Sequence, residues 1–475
     1  MAQSQQPDGL TDEAIRLVFE NTADLNVRTL RSGAMTLTAY FIDGLTSGAD
    51  ISEYIFKPIM EQLAGEDMPA IYRRALEGAV INSVAKPCRN LSEVSRLLVN
   101  GFCVVLFPRV GAIAFEVKTG EKRSIAKPDA ENTTKGAKDA FVETVRTNTS
   151  LIRRHLRTPD LRVFETIVGC RSITNVSVLW IDGLTNPALV AQMKNRLASI
   201  DIDGLLFPGA VEEYVSGSRA TAFPLLQYTE RTDRFCQGLL DGRIGLLVDG
   251  IPVGYLAPVD IGYLMDSPED YGRDYLSASC VRVLRYLALL IGLLLPALYV
   301  AFSTHHLDLV PTPLLEILLR NMGITPYGSG WEVLGLLIIF ELLQESGVHL
   351  PKSIGQSVSI IGGIVVGSAA VDAGLITPMA LIIVSFTGVC GFVLPNRDFA
   401  NAIRLWRFGI ALAALILGLW GVGIGFAVLI LHLATLKSMG VPYLGLFDGS
   451  LVRKRFAKDK YRSGKTKPLD RRKQK

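Results

Sequence analysis

The sequence predicts an α/β N-terminal half made of two duplicated subdomains, joined to an α-helical polytopic transmembrane domain. Three observations carry that expectation. The pentapeptide Ile-Asp-Gly-Leu-Thr occurs twice, in YFIDGLTSG (Tyr40–Gly48) and LWIDGLTNP (Leu179–Pro187), and internal similarity is a first sign of repeated architecture. The mean hydropathy of +0.32 is high for a chain in which 20% of residues are charged, so two unlike parts share it. The change of character falls near Ser279: mixed and charged before it, long apolar runs from Val281 to about Leu436, and a polar, basic stretch after Leu451. The expected segments are therefore 1–130 and 131–279 for the two subdomains, 280–440 for the membrane domain and 441–475 for a basic tail. The net charge of +4 averages over that tail, RKRFAKDKYRSGKTKPLDRRKQK, a block of the kind that stays on the cytosolic side of a membrane.

In the first subdomain, TDEAIRLVFENTA opens with Thr11 as an N-cap for a helix. VRTLRSGAMTLTAYFIDGL reads as strand, turn, strand, and ADISEYIFKPIMEQLA as an amphipathic helix. LSEVSRLLVNG is a further helix, and FCVVLFPRVGAIAFEV an alternating hairpin turning near Pro108–Gly111. The same order returns. GAKDAFVETVRTNTSLIRRHLR places Phe141, Val145, Ile152 and Leu156 at helical spacing. RVFETIVGCRSITNVSVLWIDGL is again strand, turn, strand, followed by the helix NPALVAQMKNRLASI. TERTDRFCQGLLDGR matches LSEVSRLLVNG, with Gly242 closing it as Gly101 closes the first. IGLLVDGIPVGYLAP is a hairpin in which Asp249-Gly250 suits a type I′ turn. Asp43 and Asp182 end a strand and start a loop, because Asp-Gly is turn chemistry first.

No Walker loop, GxGxxG, GxSxG or HExxH motif is present, and enzymatic activity is not expected. The five histidines do not converge with other ligands, and the six cysteines lack metal-ligand spacing; no cofactor, metal or nucleic-acid partner is expected. Arg153, Arg154 and Arg157 in LIRRHLR read as a solvated helix face, with lipid headgroups or an acidic partner as the alternative. The N-terminus has no basic start followed by an apolar core, so no signal peptide is expected and the front half is expected in the cytosol.

The first span is VLRYLALLIGLLLPALYVAFS, long enough to cross a hydrocarbon core, with Arg282 and Arg285 at a cytosolic entrance. LVPTPLLEILLRNMGI is too short and interrupted to span. WEVLGLLIIFELLQESG carries the intramembrane acids Glu341 and Glu345 one helical turn apart, hence on one face. FGIALAALILGLWGVGIGFAVLILHLATL is either one tilted helix or two short ones. Five or six passages are expected in all.

In Ile354–Asp372, the small residues Gly355, Ser359, Gly363 and Gly367 recur at four-residue steps and form a stripe for close helix packing. Roughly opposite lie Ser357, Ile361, Val365, Ser368 and Asp372. Around a symmetry axis, rings of that face make a water path, an apolar gate and an acidic mouth that prefers cations. The same spacing also fits an ordinary packing helix with Asp372 at its end.

The chain resembles the A-subunit family of bacterial spore germinant receptors, the GerA family, across nearly its whole length. The segments that carry the resemblance are GAKDAFVETVRTNTSLIRRHLR, TERTDRF, GRIGLLVDGIPVGYLAPV, ELLQESGVHLPKSIGQSVSIIGGIVVGSAAVDAGLITP and VPYLGLF, in that order. Three departures stand out: Thr232 where Pro is usual, His349 where Arg is common and Ser368 where Gln is frequent. The resemblance implies a multi-pass subunit of the spore inner membrane with cytoplasmic front half and tail. It also implies a homo-oligomeric, nutrient-gated channel for monovalent cations, in contact with membrane lipids, a transporter-like B subunit and a lipoprotein C subunit. Nutrient binding is assigned in the family to the B subunit, and an A-like paralogue accompanies dipicolinic-acid channel genes. The competing functions are a secondary transporter using Glu341 and Glu345, and a scaffold that clusters the receptor.

Overall fold

A computed structural model describes residues 10–32, 35–62, 67–80, 84–118, 128, 131, 133, 135–217, 221–322, 325–349 and 367–444. The described residues divide into two compact units: the first holds residues 10–217 and 226–258, the second residues 221–225 and 259–444.

The first unit contains two antiparallel five-stranded sheets. In the first the order is β1-β2-β4-β5-β3, built from β1 (Leu25–Ser32), β2 (Met35–Ile42), β3 (Ala85–Cys88), β4 (Phe102–Phe107) and β5 (Gly111–Glu116). In the second the order is β6-β7-β9-β10-β8, from β6 (Leu161–Val168), β7 (Thr174–Ile181), β8 (Gln227–Thr229), β9 (Ile244–Val248) and β10 (Gly254–Ala257). Strand for strand, the two orders are the same. The short edge strands β3 and β8 have no counterpart in the strand pattern expected above. Each is held by pairing with a hairpin partner, β3 with β5 and β8 with β10, which a segment of three or four residues does not announce by itself.

The expected central strands form where the apolar pattern puts them. Along β4, Phe102, Val104 and Leu106 enter the core on one face, and Cys103, Val105 and Phe107 enter the core on the other. A strand buried on both faces reads as a continuous apolar run although its side chains alternate. Thr11 caps α1 (Asp12–Val18), accepting from Ala14 N at 3.2 Å. Asn90 caps α2 (Leu91–Leu98). The amphipathic segment after β2 is helical from Gly48 to Gln62, but Ile51–Phe56 is wound as a π-helix. Pro58 follows directly, and its missing N–H removes one rung of an α-helical ladder.

Two local expectations fail. The helix α3 spans Val145–His155, so Phe141 lies ahead of it and not on its apolar face. The Asn148 side chain accepts from Val142 N at 2.8 Å and donates to Val142 O, holding that stretch extended. The Asp249 carboxylate then accepts from Val145 N at 2.9 Å and starts the helix. The β9–β10 hairpin forms, but its connection is not a two-residue type I′ turn. Gly250 has φ of 83° whereas Asp249 is not among the residues with positive φ, and Ile251–Val253 extend the loop before β10. Asp249 is spent on capping α3. In the remaining second-subdomain elements, α4 (Pro187–Ala198) and α5 (Thr232–Leu240) lie as expected. Gly101 and Gly242 close α2 and α5 at φ of 80° and 84°. Phe235 of α5 lies against Gly245 and Gly254, where a Cβ would sit 2.2 and 2.6 Å from its ring, and meets Phe141 edge-on at 5.3 Å.

The second unit is helical: α6 (Tyr275–Thr304), α7 (Thr312–Met322), α8 (Ser329–His349), α9 (Pro378–Phe392), α10 (Arg397–Leu417) and α11 (Leu419–Thr435). Among the described residues, α6 and α10 are the helices long and apolar enough to cross a membrane. The long final apolar run is two helices. Gly418, with φ of 59° and ψ of −138°, breaks it, and the Leu415 carbonyl near that break is met by His305 Nε2 at 2.8 Å, satisfying a group every helix end leaves open. Beyond α11, Met439 and Gly440 (φ of 48° and 81°) turn a small hairpin. The Ser438 hydroxyl donates to Leu225 O at 2.6 Å and accepts from Val259 N at 3.0 Å. Phe223 packs near Phe399, His432 and Tyr443. Residues 221–225, far from this unit in sequence, are thereby stitched into it.

Candidate functional site

The two Ile-Asp-Gly-Leu-Thr segments adopt one geometry. Asp43 N donates to Asp24 O at 2.8 Å, and Asp182 N donates to Asp160 O at 2.9 Å. Each Asp side chain accepts from the following glycine N, at 3.0 Å for Asp43 and 3.1 Å for Asp182, and Gly44 and Gly183 take φ of 76° and 74°. Leu45 N and Leu184 N donate to Ile42 O and Ile181 O at 3.3 and 3.2 Å, closing β-turns whose third residue is the positive-φ glycine, and this turn accounts for both aspartates structurally.

The repeats differ in what lies on the turn. Over Gly44 runs α3, so close that a Cβ there would approach Ser150 Cβ to 3.0 Å; at Gly183 nothing lies within 4 Å. From α3, Arg153 reaches into the first subdomain. Its Nε and Nη2 donate to the two Asp24 oxygens at 2.8 and 2.9 Å, with both side chains almost wholly buried. Arg153 is therefore no part of a solvated basic face, which corrects that expectation; burial of its planar fork against a carboxylate is the geometry for which Arg is suited. Further links between the subdomains are Ala23 N to Val163 O at 2.8 Å and Arg162 to Val18 O at 2.7 Å. Between them opens a cleft of about 320 Å³ lined by Glu20, Asn21, Arg162, Trp180, Asp182 and Lys194. Lys194 Nζ stands 4.2 Å from the Phe164 ring centre and 5.0 Å from that of Trp180, and burial lowers its pKa.

A polar cluster joins the start of α5 to the end of α3. His155 Nε2 and Asp139 Oδ2 are 2.6 Å apart, and the Thr232 hydroxyl bonds both residues. The hydrogen bond with Asp139 raises the His155 pKa; in turn it holds Asp139 down at about 2, against the opposing effect of burial. Thr232 is the first residue of α5, a position where a proline ring is tolerated; here the hydroxyl does work that a ring would not. Glu131 adds an ion pair to Arg234 and Arg231 pairs with Asp233 at 2.7 Å.

At the start of α6, Arg282 and Arg285 are buried and face Asp266 and Asp270. Arg282 lies 2.9 Å from Asp266, and Arg285 Nη2 donates to Asp270 Oδ1 at 2.8 Å. Two charges of each sign meet there, so these arginines enter the helix neutralised.

Of the residues expected to line a pore, Ser357, Ile361 and Val365 lie outside the described residues, as do Gly355, Ser359 and Gly363 of the small-residue stripe. The remaining members fall in helical residues 367–372. Gly367 is buried, and a Cβ there would touch Leu381 of α9 at 3.3 Å. Ser368 and Asp372 are exposed. Glu345 is exposed, while Glu341 is ion-paired with Arg404 of α10 at 2.8 Å. The same arginine donates to Gln344 and Asn401. One turn further along α10, Arg407 is 3% exposed. Arg404 and Arg407 escaped the sequence reading because the apolar run it followed begins at Phe408. The signal was there in RLWRFGIALAALIL, two arginines three residues apart at the head of an apolar helix. Among the described residues no group of three or more His, Cys, Asp and Glu side chains converges as a metal site would require.

The chain matches the Bacillus/Clostridium GerA spore germination protein family over residues 13–468. It belongs to that family. Among curated GerA-like relatives, it is 35% identical to the uncharacterized membrane protein YfkQ of Bacillus subtilis over 91% of this chain and 84% of YfkQ. It is 32% identical to spore germination protein KA of Bacillus subtilis over 89% of this chain and 78% of that protein. The solved N-terminal domain of the A subunit of the Bacillus megaterium spore germinant receptor GerK3 aligns with 52% of this GerA-family chain and 92% of that domain, at 26% identity and a TM-score of 0.41.

Proposed function

We propose that this GerA-family chain is the A subunit of a nutrient germinant receptor, embedded as a multi-pass protein in the spore inner membrane with its α/β unit and tail in the cytoplasm. It assembles with copies of itself into a nutrient-gated channel for monovalent cations, beside a transporter-like B subunit and a lipoprotein C subunit. The two α/β subdomains descend from one ancestral unit, and the identical strand orders and matching Asp-Gly turns support that descent. Family membership along residues 13–468 carries the reading. Helical residues 367–372 support the two-sided assignment: a Cβ on Gly367 would meet Leu381 of α9 at 3.3 Å, while Ser368 and Asp372 are exposed. In the assembled ring, Ser357 and Ser368 wet the path, Ile361 and Val365 close it, and Asp372 attracts cations. Gly355, Ser359 and Gly363 continue the packing stripe of Gly367. Nutrient recognition by a partner biases a closed–open equilibrium.

Ion flux through the full chain reconstituted in liposomes tests this. Passive, non-saturating cation flux that rises in Val365→Ala supports the channel. Gradient-coupled uptake lost in Glu341→Gln points to a carrier, and no flux in any variant points to a scaffold; either result overturns the channel and leaves the family assignment in place.

A further inference from the structure

The connection from α6 to α8 carries its own helix, α7, of eleven residues. At about 16 Å it is half the length that a hydrocarbon core requires. Its residues sort by face. Thr312, Glu316 and Arg320 recur at four-residue steps and form one polar stripe. Leu314, Leu315, Ile317 and Leu318 fill the opposite side. Leu318 is buried, whereas Leu314 and Ile317 are exposed, as is Leu319 at the border of the stripe.

Both ends of α7 are tied to one end of the helical unit. α6 closes at Thr304 and α8 opens at Ser329. A Cβ on Gly330 would sit 3.3 Å from Val300 and 3.4 Å from Thr304, and would run into Leu415 of α10. His305 Nε2 meets the Leu415 carbonyl at 2.8 Å, and a Cβ on Gly418, where α11 follows, would sit 2.9 Å from His305 Cβ. The ends of α6 and α10 and the starts of α8 and α11 are therefore together. From Arg285 to Thr304, α6 runs about 28 Å, one hydrocarbon thickness beyond the buried arginines. The exposed Tyr327, Trp331 and Trp420 belong to these same helix starts, and such aromatic rings favour the headgroup level. A short helix pinned at that depth with apolar side chains uncovered has the form of an interfacial helix.

We propose that α7 lies in the plane of the membrane, at the headgroup–acyl boundary of the lipid bilayer on the side opposite Arg282 and Arg285. Leu314 and Ile317 enter the acyl region, and Thr312, Glu316 and Arg320 turn toward water. The partner is the lipid surface itself, and the α6–α8 connection is anchored in it. This rests on the reading that the helical unit spans a bilayer and on no part of the channel reading.

The test uses the full chain in phosphatidylcholine vesicles, with the exposed Cys170 and Cys280 replaced by Ser. A nitroxide is placed on one new cysteine at a time. Power saturation then reads its collisions with oxygen, which concentrates in lipid, and with a water-soluble nickel chelate. Ile338→Cys, at an exposed position midway along α8, calibrates the lipid core. Leu314→Cys and Ile317→Cys are expected to give an oxygen-to-nickel ratio severalfold above that of Thr312→Cys and Glu316→Cys, and below that of Ile338→Cys. Two positions on each face keep the result readable should one label disturb the packing. Ile338→Cys in lipid with all four α7 labels in water overturns the in-plane helix and leaves the spanning unit standing; Ile338→Cys in water overturns both. Equal ratios on the two faces of α7 also overturn the proposal. So does an Ile317→Cys label shielded from both reagents whose dipolar broadening vanishes on dilution with unlabelled chain, which identifies a second copy as the occupant.

Discussion

Removing the charge of Asp24 is expected to loosen the junction between the two α/β subdomains. Asp24 is 1% exposed and Arg153 is fully buried, joined by two hydrogen bonds across 129 residues of sequence. The third guanidinium nitrogen, Nη1, is buried with no partner of its own, so Arg153 depends on this carboxylate. In Asp24→Asn the guanidinium stays buried without a counter-charge, and breaking a buried pair in this way costs about 3–5 kcal/mol. At about 1.4 kcal/mol per tenfold, that raises the local opening constant at least a hundredfold. Replacing both partners, Asp24→Leu with Arg153→Met, is expected to lie within about 1 kcal/mol of the parent or above it, because two desolvated charges leave together. Hydrogen–deuterium exchange of α3 and β1 in the full chain reads the opening free energy directly. The reasoning is refuted if Asp24→Asn changes that free energy by less than about 1 kcal/mol, or if the double variant is as loose as the single one.

The matched turns yield a paired prediction: Gly183→Ala is expected to cost only the left-handed strain of about 1–2 kcal/mol, whereas Gly44→Ala adds a clash with Ser150 and the Arg146 carbonyl; equal melting shifts would contradict it. Gly245→Ala drives a methyl into the Phe235 ring and is expected to destabilise the second subdomain by at least about 1–3 kcal/mol, with Gly245→Ala/Phe235→Leu recovering part of the loss in thermal melts. The His155–Asp139 pair makes stability pH-dependent in two windows. The raised His155 pKa means its contribution is whole below its ordinary 6.5 and fades as pH climbs through the raised value. Asp139, held at about 2, contributes above its ordinary 3.8 and loses that contribution as pH falls toward 2. Both groups are partly exposed, so the amplitude is modest and screened by salt. His155→Gln is expected to flatten the upper window and to shrink the lower one, where the Thr232 hydroxyl still favours the Asp139 carboxylate, in amide exchange near residues 137–142; an unchanged profile above pH 6.5 argues against the assignment.

Most of this architecture is legible in the order of residues. Continuous apolar runs at β4 and β9, Asp-Gly at two strand ends, glycines after α2 and α5, and long apolar stretches beyond Val281 all report local physics: period, turn chemistry and transfer from water. Such signals need no knowledge of what lies opposite. The helix break at Gly418 is of the same kind once its backbone angles are known, though its apolar flanks equally fit one long helix.

What tertiary structure decided depends on partners far away in sequence. Arg153 and its neighbours read as one basic face until Asp24, from a different subdomain, takes one of them into the core. Phe141 has helical spacing, yet Asn148 and Asp249 start α3 later by hydrogen bonds that no period encodes. Edge strands β3 and β8 exist because hairpins offer them an open side. Glu341 looked like half of an acidic pair, and Arg404 on another helix made it half of an ion pair instead. Local propensity is additive along the chain and can be read from it; desolvation and charge pairing depend on three-dimensional neighbours, and only the packed chain supplies them.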